Sequence, residues 1–163
     1  MINGIHELRR ELLLAVDPDL FDGIEGSTDS ELLLHLALTF GLKDDPLAGM
    51  ERAVGFVEVK ASEHGVKEPV QMTAGISDGE RLWAIRYSSE HKSRTLFMSE
   101  DVDALRRLHP ENQRLQQLCE GDRVIVSEPL TDLAGAWIEV PESTGLAVEA
   151  GGYEQVPFRP VSG

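Results

Sequence analysis

The sequence predicts an α+β domain, with helices first and antiparallel strands after them. Three observations carry this. Apolar residues recur at helical spacing up to about residue 65. From Pro69 the period changes to two, with Val70, Met72 and Ala74 alternating with Gln71 and Thr73. Asp78-Gly79 then stands between two such alternating runs, where a hairpin turn belongs.

The first helix follows the turn signal Asn3-Gly4 and carries Leu8, Leu12 and Ala15 on one face. Residues 17–27, with Asp17-Pro18-Asp19 and Gly23, read as a loop. The second helix covers residues 28–41. Thr28 is its N-cap, Glu31 completes a capping box, and the run Leu32-Leu33-Leu34-His35-Leu36-Ala37-Leu38 supplies a broad apolar face. Asp44-Asp45-Pro46 opens a third helix, which passes through Met50, Val54, Val57 and Ala61 and stops near Gly65.

After the turn at Ser77-Asp78-Gly79-Glu80, expected as type I′, residues 82–87 form the return strand and residues 94–99 a third strand. Arg86 could bind a carboxylate, but on a strand it reads first as a side chain covering the face. Residues 100–121 are mixed and polar, with a short helix around Asp101-Val102-Asp103-Ala104-Leu105 and a loop at His109-Pro110-Glu111-Asn112. Cys119 follows leucines at helical spacing and reads as a small apolar filler. Residues 122–130, 136–141 and 145–149 read as strands, with Glu142-Ser143-Thr144 turning between the last two. The domain is expected over 1–150, and 151–163, with Pro157 and Pro160, as a loose tail.

The 163 residues suit one domain, and 41% hydrophobic residues with only 6% aromatics imply an aliphatic core. A net charge of −14 argues against nucleic acid or an anionic membrane as partner. Cys119 is the sole cysteine, so the chain forms no internal disulfide, and a reducing cytoplasm is the expected compartment. No apolar run approaches the roughly 18 residues of a membrane span, and the N-terminus has no basic-then-apolar signal pattern. The histidines, at 6, 35, 64, 91 and 109, make no pair at metal-ligand spacing. No Gly-x-Gly-x-x-Gly or Walker sequence occurs, so no metal or other cofactor is expected.

Asp29 is left over from the capping. Thr28 and Glu31 already fill those places, and Asp29 sits in the first helical turn, where the helix dipole favours a carboxylate. A fixed carboxylate there suits a substrate ammonium.

The hexapeptide Gly26-Ser27-Thr28-Asp29-Ser30-Glu31 resembles the Thr-Asp-Ser/Thr-Glu signature of class II glutamine amidotransferases. Asn3-Gly4 before the Leu8-Arg9-Arg10-Glu11-Leu12 face is similar to that family's His-Asn-Gly-Ile turn, with Ile2 where the family usually has His. Ser77-Asp78-Gly79-Glu80 with Arg86-Tyr87, and Ser127-Glu128-Pro129-Leu130-Thr131-Asp132, occur in family order, so the resemblance runs from Asn3 to about Val148. The resemblance is to the stand-alone amidotransferase-like group.

The resemblance implies an N-terminal nucleophile fold, two stacked antiparallel sheets between helix layers, present here in part. It implies that Asn3 and Gly4 form the oxyanion hole, that Asp29 binds the α-amino group, and that the substrate is glutamine or another γ-glutamyl compound. A role for Ser127 and Glu128 stays open between site and buried structural carboxylate. The family's nucleophile is a cysteine at the mature N-terminus with its own amine as base. That cysteine, and the arginine that holds the glutamine carboxylate, have no counterpart here, so the chain is expected to begin at the oxyanion-hole turn, halfway through the domain. Two readings follow. One is the C-terminal part of a glutaminase or amidotransferase, a hydrolase or transferase in its longer form and inactive as this chain. The other is a non-catalytic binding or interaction module, whose uncovered sheet edges would make it self-associate into a homo-oligomer.

Overall fold

The computed structural model describes residues 2–130, 135–150 and 152–161. Four helices come first: α1 (Ile5–Leu14), α2 (Pro18–Phe21), α3 (Asp29–Thr39) and α4 (Pro46–Glu63). Then come β1 (Gln71–Ser77), β2 (Leu82–Ser88) and β3 (Phe97–Ser99). Two short helices, α5 (Val102–Leu108) and α6 (Gln113–Gln116), precede β4 (Ile125–Val126), β5 (Trp137–Glu139), β6 (Thr144–Glu149) and β7 (Gly152–Pro157). The strands form a four-stranded sheet, β1-β2-β6-β7, and a three-stranded sheet, β4-β3-β5, with antiparallel pairing throughout.

The starts of α3 and α4 follow from local chemistry. The Thr28 hydroxyl accepts the Glu31 N–H at 3.3 Å, and the Asp45 carboxylate accepts the Ala48 N–H at 3.0 Å just ahead of Pro46. The capping box is altered in one respect. The Glu31 carboxylate reaches past Thr28 and accepts the N–H groups of Glu25 and Gly26 at 2.9 to 3.0 Å, so it closes the loop leading into the helix.

The layers are set by the alternation in β2. Ile85 and Tyr87 face a core with Leu8 and Leu12 of α1, Leu32 and Leu36 of α3, and Val54 and Val57 of α4. Ala84 faces the other way, into a second cluster with Leu96, Met98, Val140, Leu146 and Val148. The four-stranded sheet therefore lies between helices and the smaller sheet, and β2 is buried from Trp83 to Ser88.

Several expectations need correction. The Asp78-Gly79 loop is not type I′: Gly79 has φ 96°, but Asp78 is not among the residues with positive φ. The Asp78 carboxylate instead accepts the N–H groups of Glu80 and Arg81 at 3.0 and 2.7 Å, giving a longer side-chain-closed loop between Ser77 and Leu82. These bonds hold the Asp78 carboxyl below the usual carboxylate range, the Arg81 N–H first and the Glu80 N–H next. Arg86 takes the second of its two readings and binds a carboxylate, that of Glu139. It is 9% exposed, and its guanidinium binds the Ser93 hydroxyl at 2.9 Å and the Glu139 carboxylate at 2.7 Å, tying β2 to β5 across the two sheets. Cys119 is exposed rather than a core filler. Glu142-Ser143-Thr144 does not turn a hairpin, because β5 and β6 belong to different sheets.

The loose tail is not observed over residues 152–161. β7 pairs with β6 from Gly152 to Pro157, Phe158 is 2% exposed in the main core, and the Val161 N–H donates to Glu51 O at 3.1 Å. Gly55 on α4 makes room for this return: a Cβ there would stand 2.1 Å from Val161 O. Gly151, Ser162 and Gly163 of the expected tail lie outside the described residues, as do Met1 and, from the last motif, Thr131 and Asp132.

Candidate functional site

Ile2 lines the candidate site, and the turn it begins, residues 2–4, is pinned to the segment 68–70. Ile2 pairs antiparallel with Val70, and the Asn3 N–H donates to Pro69 O at 2.7 Å. The Asn3 side-chain amide donates to Glu68 O at 2.9 Å. That uses one of its two N–H bonds and fixes the direction of the other. Gly4 follows in the left-handed region, φ 67° and ψ 23°, and its carbonyl accepts the Glu7 and Leu8 N–H groups to start α1. Among the described residues the Gly4 N–H has no acceptor.

Asp29 enters from α3. Its Oδ1 accepts the Ser30 N–H at 2.9 Å, and its Oδ2 accepts the Ile2 N–H at 2.8 Å, a bond that spans 27 residues of sequence. The carboxylate is thus fixed by one donor on each oxygen. A carboxylate offers about four acceptor sites, so further lone pairs stay open to a ligand. The first helical turn adds the favourable field of the helix N-terminus.

Ile2 and Asp29 line a cleft of about 700 Å³ between α3 and β1, walled by Leu33 and Leu34 on one side and Met72 and Ile76 on the other. Asn3 and Gly4 stand next to Ile2 but are not part of the lining. The structure therefore brings Asp29 to the same turn as Asn3 and Gly4, with Asp29 in the cleft and the other two beside it. Ser127 and Glu128 are exposed, and neither lines the cleft, so Glu128 is not a buried structural carboxylate. Arg86 belongs to the inter-sheet contact described above.

Sequence reasoning missed Arg94, an exposed side chain on the loop after β2 that lines the cleft. Two residues before it, Lys92 O accepts the Gln71 side-chain amide at 3.1 Å, a contact between this loop and the start of β1. No local pattern in the sequence signals that contact. Among the described residues no helix is long and apolar enough to cross a membrane.

No family model matches the chain, and no curated protein matches it. Among solved structures, the chain is similar to a glutamine aminotransferase class-II domain protein from Silicibacter pomeroyi, at 29% identity and a TM-score of 0.82. The similarity covers 99% of this chain and 65% of that one, so the chain spans about two thirds of the protein it resembles. Two antiparallel sheets, a helical layer over the larger of them, and this similarity together give the chain the fold of a class II glutamine amidotransferase-like domain.

Proposed function

We propose that this chain is the substrate-holding part of a class II glutamine amidotransferase domain, a partial N-terminal nucleophile sandwich. Asp29 takes the α-ammonium of glutamine or another γ-glutamyl compound on its open lone pairs. The second N–H of the Asn3 amide and the Gly4 N–H receive the oxygen of the γ-carbonyl as it gains charge. The nucleophile is not in this chain. Cys119 is exposed and does not line the cleft. In a longer form, a cysteine thiolate would add to the γ-carbonyl, ammonia would leave with a proton from the nucleophile's base, and water would then cleave the thioester to glutamate.

The observation that carries this reading is the hydrogen bond from the Ile2 N–H to Asp29 Oδ2. It fixes the ammonium-binding carboxylate to the turn that holds both oxyanion donors, as one substrate molecule spanning the two would require.

The purified 163-residue chain is expected to release no glutamate from glutamine above background. Release that disappears in Asp29→Ala would overturn the assignment of the nucleophile to another segment. In a longer form carrying the nucleophile, Asp29→Ala is expected to raise KM for glutamine by roughly 10- to 100-fold, the loss of one charge-assisted contact of about 1.5–3 kcal/mol. An unchanged KM removes Asp29 from the site.

A further inference from the structure

Among the described residues, Asp29 and Arg94 are the two charged side chains that line the cleft. Their situations differ. Asp29 is held on both carboxylate oxygens. The Arg94 side chain is exposed and, among the described residues, has no hydrogen-bond or ion-pair partner. Yet the chain carries 29 aspartates and glutamates against 15 lysines and arginines. The five N–H donors of this guanidinium are left for an acceptor from outside the chain.

The backbone under Arg94 is fixed, although its side chain is not. The Ser93 N–H donates to Glu142 Oε2 at 2.9 Å on one side of it, and the Thr95 hydroxyl donates to Ser127 O at 2.8 Å on the other. Leu96 is 3% exposed in the cluster between the two sheets, and its carbonyl accepts the Val140 N–H at 2.8 Å. Arg94 therefore comes to the cleft from the side of the smaller sheet. Asp29 comes to it from the helical layer, at the start of α3. Consecutive residues of β1 from Gln71 to Ile76 line the cleft, and successive strand residues point to opposite faces, so the cleft passes round the β1 edge between the two charges.

We propose that Arg94 is a specificity-determining residue, holding a carboxylate on the amine part of a γ-glutamyl amide. The proposal rests on the glutamine reading given above. With the ammonium on Asp29 and the γ-carbonyl oxygen at the Asn3-Gly4 turn, the glutamyl unit is bound from the helical side. Its own carboxylate shares a carbon with the ammonium and stays there with it. The group on the γ-nitrogen is the part left to cross the β1 edge towards Arg94. The cleft of about 700 Å³ has room for it, since sites of roughly 300–1,000 Å³ take ligands well above the size of glutamine. A planar guanidinium matches a carboxylate through two parallel hydrogen bonds. In a chain of net charge −14, an anionic substrate also needs a local cation against the general repulsion.

The test titrates the 163-residue chain by calorimetry with glutamine, with γ-glutamylmethylamide, whose amine part is uncharged, and with γ-glutamylglycine, which ends in a carboxylate. γ-Glutamylglycine is expected to bind roughly 10- to 100-fold more tightly than the methylamide. Arg94→Gln removes that difference and leaves the methylamide affinity where it was, while Arg94→Lys keeps part of the difference. Urea unfolding of Arg94→Gln should match that of the parent chain, because Arg94 makes no bond among the described residues. Equal affinity for the two compounds in the parent chain overturns the proposal. So does a loss in Arg94→Gln shared equally by all three compounds, which would put Arg94 on the carboxylate of the glutamyl unit. The glutamine reading fails in a different way: Asp29→Ala then leaves the affinity for all three unchanged, whatever Arg94→Gln does. Absence of binding by all three overturns the reading and the proposal together.

Discussion

Gly4 occupies a position where a side chain meets two obstacles. Its φ of 67° lies in the left-handed region, and a Cβ there would stand 2.8 and 2.9 Å from the two methyls of Val66. Gly4→Ala therefore combines a backbone penalty of about 1–2 kcal/mol with an overpacking penalty of about 1–3 kcal/mol. The expected outcome in urea unfolding is a loss of roughly 2–5 kcal/mol with an unchanged m-value. A loss under about 0.5 kcal/mol would mean that the turn relaxes and does not hold the Gly4 N–H in place. The residue-level reading of this turn was available from the sequence, because Asn-Gly before a helix is a local signal. What was hidden is the Ile2 contact of Asp29, because it joins residues that only the pairing of Ile2 with Val70 brings together.

Between elements, β2 is fastened to α4 through one carboxylate. The Tyr87 hydroxyl and the Ser89 hydroxyl both donate to Glu58 Oε1, at 2.6 and 2.5 Å. Burial first, and then the Glu58 carboxylate, push the Tyr87 phenol well above its usual range. A raised pKa in the folded state means that the neutral phenol is favoured by folding. Its contribution is complete below the unfolded value of about 10 and is lost as pH rises beyond that. Tyr87→Phe is expected to cost roughly 1.5–3 kcal/mol at pH 7, one hydrogen bond to a charged acceptor, and to flatten the fall of Tm between about pH 9.5 and 11.5. Parallel Tm curves for the two proteins across that range would remove Tyr87 from the alkaline transition.

Helix starts were the most legible of the elements, since Thr28, Asp45 and Pro46 act within a few residues of themselves. Strand lengths were not. The strand expected over 122–130 is reduced to Ile125–Val126, because its partner β3 has only three residues to offer. The Asp78 turn shows the same limit on a smaller scale. Its residue type was legible, but its conformation depended on which N–H groups the carboxylate found.

For the whole molecule, residues 152–161 carry more of the structure than their composition suggests. Gly and Pro gave them the appearance of a tail. Their order comes from pairing with β6 and from Phe158, whose ring lies 5.3 Å from that of Tyr87. Phe158→Ala should destabilise the chain by about 3–5 kcal/mol, as for other aromatic truncations in a closed core. A change under about 1 kcal/mol in urea unfolding would show that residues 152–161 add to a core already complete without them. Arg86 acts at the same scale, since its contacts with Ser93 and Glu139 join the two sheets. The sequence pattern placed Arg86 on a strand correctly. It did not reveal a second sheet against that face, because the strands of the two sheets alternate along the chain and leave no local trace of the division.

The exposed thiol of Cys119, the single cysteine of the chain, bears on any attempt to weigh this protein in solution. Under air it can join two copies covalently, through a surface outside the cleft. Sedimentation without reductant would then count oxidised pairs as assembly. The same thiol, kept reduced and then capped with one maleimide dye, gives a uniformly labelled protein whose tumbling reports association alone.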